Sequence, residues 1–165
     1  GAGERNEFLT FLEGELLKEG GSSIAFEVKD FKVLDAKGDS MSLSDSRGKP
    51  TYLLVWASYC GFSRMETKRL AQWRHAHPDV PIEIRTISID VDDAAWRKAV
   101  VEDSLDWPGQ WRGGYAWGSP EIKDLDVQSI PGSYLLDTKG IIRSKNVLAM
   151  DLERDWESIL ERWGK

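Results

Sequence analysis

The sequence predicts an α/β protein in which a mixed central β-sheet is flanked by helices on both faces. Apolar runs of strand length alternate with segments of helical period along most of the chain. The clearest strand is the near-continuous apolar run Tyr52 to Ala57, which is typical of a strand buried on both faces of a sheet. The clearest helix begins at Gly61 and ends near His77, before Pro78. We expect its buried side to carry Met65, Leu70 and Trp73.

The sequence predicts an N-terminal extension, residues 1–21, followed by a single domain over residues 22–165. Within the extension an amphipathic helix is expected from Glu4 to Lys18, because apolar residues recur there four positions apart. A β-hairpin should follow. Its expected parts are two short runs in which apolar and polar residues alternate, at 25–28 and 31–34, then a turn at 35–38 and a strand at 41–43.

The second half of the chain supplies further strands and helices. We expect a strand over 82–89, a helix over 94–105, a short helix over 119–125, a hairpin turn at 137–140, a strand over 141–148 and a helix over 151–163. The segment from Trp107 to Trp117 differs, because it crowds aromatic residues among glycines. Such a loop could stack on a sugar or a peptide, or its rings could pack against the edge of the sheet. We favour packing, since large aromatic side chains are mostly buried.

The composition argues against several classes of function. The 165 residues carry a formal net charge of −6 and the pI is about 5.0, which argues against a nucleic-acid or anionic-membrane partner. The sequence shows no apolar run long enough to span a membrane and no signal-peptide pattern. His75 and His77 stand two apart near the end of a helix and lack the spacing of metal ligands, so we expect no metal site.

Cys60 is the only cysteine of the chain and is the candidate nucleophile. It stands between the strand and the helix. At that point unpaired backbone N–H groups and the positive end of the helix macrodipole favour a thiolate over a thiol. A single cysteine also excludes an intramolecular disulfide. The position therefore predicts a reactive thiol.

The residues around Cys60 resemble the active site of a known family. Trp56-Ala-Ser-Tyr-Cys-Gly-Phe-Ser-Arg-Met-Glu66 is similar to the W-A-S-W-C-x-x-C-R-x-E segment of TlpA/ResA-like thiol–disulfide oxidoreductases, within the thioredoxin superfamily. Residues 42–50 resemble the segment that leads into the family's first central strand, and residues 87–90 resemble its second parallel strand. Residues 130–141 resemble the family's cis-proline hairpin. The resemblance implies a thioredoxin-like fold and thiol–disulfide exchange on protein or small-molecule disulfides. It also implies a place on the periplasmic side of a bacterial cell envelope.

Two departures from the family pattern change the expected mechanism. Ser63 stands where the family has its second cysteine, and Lys68 stands where the family has a helix-kinking proline. Without a second thiol, Cys60 can form a mixed disulfide but cannot close an internal one. An external thiol, such as glutathione or a partner thioredoxin, must then release it. The Ser63 hydroxyl could stabilise the thiolate, or it could be an ordinary first-turn serine or a replaced cysteine.

The resemblance also assigns roles to neighbouring residues. Glu66 would act as an acid–base group near the sulfur; the alternative is a solvated helix glutamate paired with Arg64 or Arg69. Pro131 is expected to follow a cis peptide bond that leaves the Ile130 backbone able to pair with an extended substrate strand. No cofactor is implied. The residues expected to bind substrate are Trp56, Tyr59, Gly61, Phe62, Ile130 and Pro131.

Two other functions are compatible with the sequence. The fold could have lost turnover and kept its groove as a peptide-binding or protein-binding module. Alternatively, Cys-Gly-Phe-Ser is the active-site tetrapeptide of monothiol glutaredoxins, which share one 2Fe–2S cluster between two subunits with glutathione as co-ligand. The rest of this sequence does not follow those proteins, so exchange through Cys60 is the preferred hypothesis.

Overall fold

Seven strands form one mixed sheet in the part of the chain that the computed structural model describes, residues 31–113, 118 and 120–165. The strands are β1 (Lys32–Asp35), β2 (Ser40–Ser42), β3 (Thr51–Trp56), β4 (Glu83–Ser88), β5 (Gln110–Arg112), β6 (Gly132–Leu136) and β7 (Ile142–Lys145). In the sheet they lie in the order β2-β1-β5-β4-β3-β6-β7. β3 has a neighbour on each side and is buried along its whole length, as its apolar run predicts.

The strand directions show how the sheet is mixed. β3 runs parallel to β4 and antiparallel to β6, and β4 runs parallel to β5. β1 pairs antiparallel with both β2 and β5, so the β1–β2 hairpin extends the sheet beyond β5. These pairings confirm the mixed sheet and the hairpin. The expected helix over 4–18, the strand over 25–28 and the boundary after residue 21 lie outside the described residues.

Helices cover both faces of the sheet. They are α1 (Gly61–Ala76), α2 (Asp93–Glu102), α3 (Pro120–Asp124) and α4 (Ala149–Trp163), and a 3-10 turn (Leu43–Ser46) follows β2. Alternate residues of β3 enter two apolar cores, because successive side chains of a strand point to opposite faces. Leu54 packs with residues of α1, α2 and α4, whereas Val55 packs on the other face with Ile122 of α3. The predicted α/β layering is confirmed.

The buried side of α1 differs from the prediction at one position. Leu70 and Trp73 are buried as expected, but Met65 is 66% exposed. Ser63, Thr67 and Leu70 share one face of the helix at helical spacing, and Met65 projects from another. The expectation for Met65 is therefore wrong, because two small polar residues occupy the buried face near the start of the helix.

The aromatic, glycine-rich segment contains a strand that the sequence does not predict. Gln110–Arg112 form β5, which pairs with β4, and Trp111 is completely buried. The indole N–H of Trp107 donates to the Ile84 carbonyl at 2.8 Å. Both tryptophans pack against the sheet, in line with the preferred interpretation, whereas residues 115 and 117 lie outside the described residues.

Candidate active site

Cys60 lies at the junction between the central strand and the first described helix. β3 ends at Trp56, and Cys60 is the N-cap of α1 with an extended backbone (φ −100°, ψ 113°). Its N–H donates to the Ala57 carbonyl at 3.2 Å, and its carbonyl accepts from the Arg64 N–H at 3.0 Å. The side chain is half-buried and packs against the apolar core that contains Val55. The thiol thus lies where the unpaired N–H groups of the helix begin.

The surroundings of Cys60 shift its pKa in opposite directions. Partial burial raises the pKa of the thiol, since desolvation disfavours the charged form. The nearby Ser63 hydroxyl and the backbone N–H groups of Ser63 and Phe62 lower the pKa, because these donors favour a charged sulfur, and together these contributions outweigh burial. The pKa of Cys60 therefore lies below its ordinary value, which increases the thiolate fraction at neutral pH.

Ser63 has a buried hydroxyl for which the Cys60 sulfur is the natural acceptor. The side chain is completely buried, and its oxygen meets no hydrogen-bond partner at ordinary distance within the described residues. A buried hydroxyl without a partner costs free energy. An ionised sulfur would relieve this cost, and the Ser63 hydroxyl is among the groups that lower the pKa of Cys60, so Ser63 favours the thiolate.

The Ile130–Pro131 segment approaches the same end of β3. Gly132 pairs with Val55 in the β3–β6 register, so the two residues before Gly132 continue alongside the end of β3. The peptide bond between Ile130 and Pro131 is cis. Ile130 is half-buried and packs against the same apolar core as Cys60. The fold therefore brings this hairpin and the thiol to one edge of the sheet.

The other residues expected to bind substrate differ in exposure. Tyr59 and Phe62, which flank Cys60 in the chain, are 70% and 76% exposed. Gly61 is exposed at the first position of α1. Trp56 has no exposed surface and lies within an apolar core. A direct side-chain contact with substrate is therefore not available to Trp56 in this structure.

The Glu66 carboxylate contacts another helix. It accepts a hydrogen bond from the backbone N–H of Ala149, the first residue of α4, at 2.7 Å. The expected partners of Glu66 pair elsewhere, Arg64 with Asp103 and Arg69 with Glu153. Neither arginine forms an ion pair with Glu66, although the charge of Glu66 contributes to raising the pKa of Arg69. Both the acid–base role and the alternative of a solvated helix glutamate stay predictions.

Sequence reasoning does not find two buried carboxylates beside the Cys60 turn. Asp90 follows β4 and accepts hydrogen bonds from the N–H and the hydroxyl of Ser58, at 2.9 and 2.5 Å. Asp103 follows α2 and accepts from the Arg64 guanidinium at 2.5 and 2.8 Å. A sequence signal exists only for Asp90. It comes at the end of a strand parallel to β3, and the carboxyl ends of parallel strands meet at one edge of a sheet.

The two histidines make local contacts. His75 pairs with Asp106 at 2.6 Å, and His77 contacts the Trp73 carbonyl at 3.0 Å. Within residues 31–113, 118 and 120–165, no three His, Cys, Asp or Glu side chains are grouped so as to hold a metal ion. No helix in this described part is long and apolar enough to cross a membrane.

Comparison with known proteins places the chain in a family. Residues 24–145 match the profile of the AhpC/TSA family. The chain belongs to that family. As a member of the AhpC/TSA family, it is homologous to proteins named as thiol-disulfide oxidoreductases, and its fold is thioredoxin-like.

Individual relatives of this AhpC/TSA-family chain cover most of its length. Thiol-disulfide oxidoreductase ResA of Bacillus thuringiensis subsp. konkukian is 27% identical over 131 residues, which are 79% of this chain and 73% of the relative. Thioredoxin-like protein YneN of Bacillus subtilis is 25% identical over 140 residues, 81% of this chain and 76% of the relative. The crystal structure of the thioredoxin domain of a Bacteroides vulgatus thiol-disulfide oxidoreductase matches with a TM-score of 0.74 and 25% identity, covering 85% of this chain and 97% of that one. These likenesses confirm the thioredoxin-like fold and support thiol–disulfide oxidoreductase function at the level of the family.

Proposed function

We propose that this protein performs thiol–disulfide exchange through a single nucleophilic cysteine, Cys60, in a Cys-Gly-Phe-Ser motif. The observation that carries the proposal is a half-buried thiol at a helix N-cap whose pKa lies below its ordinary value. The relatives named as thiol-disulfide oxidoreductases support the same chemistry.

In the first step the Cys60 thiolate attacks one sulfur of a substrate disulfide. The substrate S–S bond breaks, a new S–S bond joins Cys60 to the attacked sulfur, and the other substrate sulfur leaves as a thiolate. One disulfide replaces another, so no outside oxidant or reductant is needed. The hydrogen bonding that stabilises the Cys60 thiolate also makes it a good leaving group when the mixed disulfide is resolved.

The second step uses a thiol from outside the Cys60 motif. Ser63 occupies the position of a second cysteine, and the sequence has no cysteine besides Cys60. A substrate cysteine that attacks the mixed disulfide releases Cys60 and gives isomerisation. Two molecules of glutathione, or one dithiol partner such as a thioredoxin, release Cys60 and give net reduction, in which the external thiols become the new disulfide.

The surface around Cys60 supports an extended substrate segment. We assign the exposed rings of Tyr59 and Phe62 to side-chain contacts with it, and the Ile130 backbone to strand-like pairing beside Pro131. Gly61 leaves space beside Cys60, since no group beyond its chain neighbours and its own helix backbone lies within 4 Å of where a Cβ would stand. Location on the periplasmic side of a bacterial envelope stays a prediction that rests on the family resemblance.

Trapping the mixed disulfide tests this proposal. Protein incubated with oxidised glutathione, or with a peptide that carries one disulfide, should gain one adduct at Cys60 by mass spectrometry, and dithiothreitol should remove it. Reduction of a protein disulfide should then depend on added thiol and disappear in Cys60→Ala. The proposal is contradicted if the folded protein forms the Cys60 adduct no faster than the urea-unfolded chain does.

A second candidate is a binding module that has lost turnover. The observation that favours it is the exposure of Tyr59 and Phe62 beside a thiol that has no resolving partner in the chain. Under this alternative, Cys60→Ala keeps its affinity for a peptide that the wild type binds. Under thiol–disulfide exchange, the same variant loses the covalent adduct and all turnover.

A further inference from the structure

Ser58, two residues before Cys60, has all of its polar groups engaged. Its N–H donates to Oδ2 of Asp90 at 2.9 Å, and its hydroxyl donates to Oδ1 of the same carboxylate at 2.5 Å. Its carbonyl accepts a hydrogen bond from Nη1 of Arg64 at 3.1 Å. Three bonds to two charged side chains leave this loop residue little freedom, because charge-assisted hydrogen bonds are among the stronger ones in proteins.

Asp90 is fixed by the sheet. It is 2% exposed, and its carboxylate also accepts a hydrogen bond from the Ser88 hydroxyl. Its N–H donates to Oγ of Ser88 at 2.9 Å, and its carbonyl accepts from Arg112 at 3.4 Å. Ser88 belongs to β4, which pairs with β3, and Arg112 belongs to β5, which pairs with β4, so these two neighbouring strands determine where Asp90 lies.

Arg64 is fixed from the helical side. Its guanidinium forms a bidentate pair with Asp103, whose side chain is completely buried. The Thr67 hydroxyl donates to the same carboxylate at 2.7 Å. Arg64 lies one turn into α1, so this arrangement ties the active-site helix to the loop that precedes it.

We infer that Ser58 is a positioning residue for the Cys60 thiol, held by Asp90 from the sheet and by Arg64 from the helix. These bonds fix where the sulfur lies relative to the N–H groups of the first turn of α1. Hydrogen bonds weaken steeply as distance and angle relax, so a small shift of this loop weakens the stabilisation of the thiolate while both apolar cores stay intact. The inference rests on the proposed function, since it takes Cys60 as the reacting group.

Two substitutions at Ser58 test the inference without changing charge. In Ser58→Ala we expect the pH midpoint of Cys60 alkylation by iodoacetamide to rise, and the rate below that midpoint to fall by roughly 3- to 10-fold. Ser58→Thr keeps the hydroxyl and should restore the wild-type profile. A residue that acts only on global stability would shift the urea midpoint and leave the alkylation midpoint unchanged.

A substitution at Asp90 distinguishes positioning from charge by the sign of its effect. Removal of a nearby negative charge favours the thiolate, so Asp90→Asn would lower the alkylation midpoint if the carboxylate acted through its charge alone. Loss of positioning raises the midpoint, which is the expected result. Among the residues that the structure describes, the charged groups joined to this turn directly or through one another, which contribute to the electrostatic background, are Asp90, Arg112, Arg64, Glu102 and Asp103.

Asp137→Asn is the matched control. Asp137 is buried, and its carboxylate holds the β6–β7 turn by accepting the N–H groups of Lys139 and Ile141 at 2.9 and 3.0 Å. This variant should lose stability to urea and keep the wild-type alkylation midpoint. The inference fails, and the proposed function stands, if the wild type has a lowered alkylation midpoint, Ser58→Ala has the same midpoint as the wild type, and Asp90→Asn has a lower one. A wild-type midpoint equal to that of the unfolded chain would overturn the proposed function and the inference with it.

Discussion

The Glu66 carboxylate accepts a hydrogen bond from the backbone N–H of Ala149 at 2.7 Å, across 83 positions of sequence. Ala149 is the first residue of α4, where helix N–H groups have no partner within the helix. A negative charge at that end is also favoured by the helix macrodipole. A residue of the active-site helix thus caps the C-terminal helix and holds the two helices side by side.

Loss of this cap should lower the free energy of unfolding. We expect Glu66→Ala to cost about 1–2 kcal/mol, because loss of a helix cap typically costs an amount of this size. Glu66→Gln keeps a carbonyl acceptor and should cost less than half as much. Urea unfolding followed by circular dichroism measures both variants.

The same pair of variants tests the acid–base role of Glu66. If the carboxylate only caps α4, Glu66→Gln should exchange thiols at close to the wild-type rate. A rate loss in Glu66→Gln much larger than its stability loss would show proton transfer instead. Glu161→Ala, at an exposed glutamate of α4, serves as the control and should be near neutral in both measurements.

Ionisation of Cys60 should make stability depend on pH. The folded state lowers the pKa of the thiol below the unfolded value of about 8.5, so between the two values the unfolded chain binds more protons. The stabilisation from the thiolate is fully present above the unfolded value and is lost as the pH falls through the folded value. The difference in urea midpoint between wild type and Cys60→Ala should therefore increase with pH, and a difference independent of pH would contradict the lowered pKa.

Restoring a second thiol should change the mechanism. Ser63 lies three residues after Cys60 in the first turn of α1, and residues at this spacing are neighbours on a helix. We expect Ser63→Cys to form an internal disulfide on oxidation and, when reduced, to complete one turnover with a protein disulfide without added thiol. Thiol counting by mass spectrometry measures this. Ser144→Cys, at a buried serine of β7, should keep two free thiols and gain no turnover.

Breaking the Arg64–Asp103 pair should be costly, because the Asp103 side chain is completely buried. Arg64→Met leaves that carboxylate without its main partner, and we expect a loss of about 3 kcal/mol in the free energy of unfolding. Lys98→Met removes an exposed pair with Glu102 and should cost less than about 0.5 kcal/mol. Equal losses in the two variants would show that burial of Asp103 does not matter.

Local sequence pattern is sufficient to place the central part of the site. The apolar run that became β3 and the helix that begins at Gly61 are each defined by residues within one segment, and their junction fixes Cys60. Hydrophobic period and helix punctuation are properties of neighbouring residues, so a single sequence carries them. For the hairpin that contains Pro131, local residues predict only the turn at 137–140 and the strand after it, and the cis-proline segment is expected from the family resemblance of residues 130–141.

Contacts between distant segments could not be predicted in this way. The bond from Glu66 to Ala149 and the pair of Arg64 with Asp103 join residues whose local patterns give no sign of each other. β5 is three residues long, too short for an alternating pattern, and becomes a strand because β4 and β1 lie on either side of it. These features are determined by tertiary packing, which also overrides local propensity elsewhere in proteins.

The approach to β5 depends on Gly109, whose φ is +111°. A Cβ at this position would lie 2.6 Å from Cδ of Arg85 and 3.2 Å from the Ile84 carbonyl oxygen. Gly109→Ala should therefore lower the free energy of unfolding by about 1–3 kcal/mol through backbone strain alone, and by more if Arg85 must move off the Trp111 ring.

Gly61→Ala is the matched control, because it lies in a helix and nothing is within 4 Å of its Cβ position. It should stabilise the fold by about 0.5–1 kcal/mol. Urea unfolding of the two variants should thus give shifts of opposite sign. Shifts of the same sign would mean that the positive φ of Gly109 is not what fixes the entry into β5.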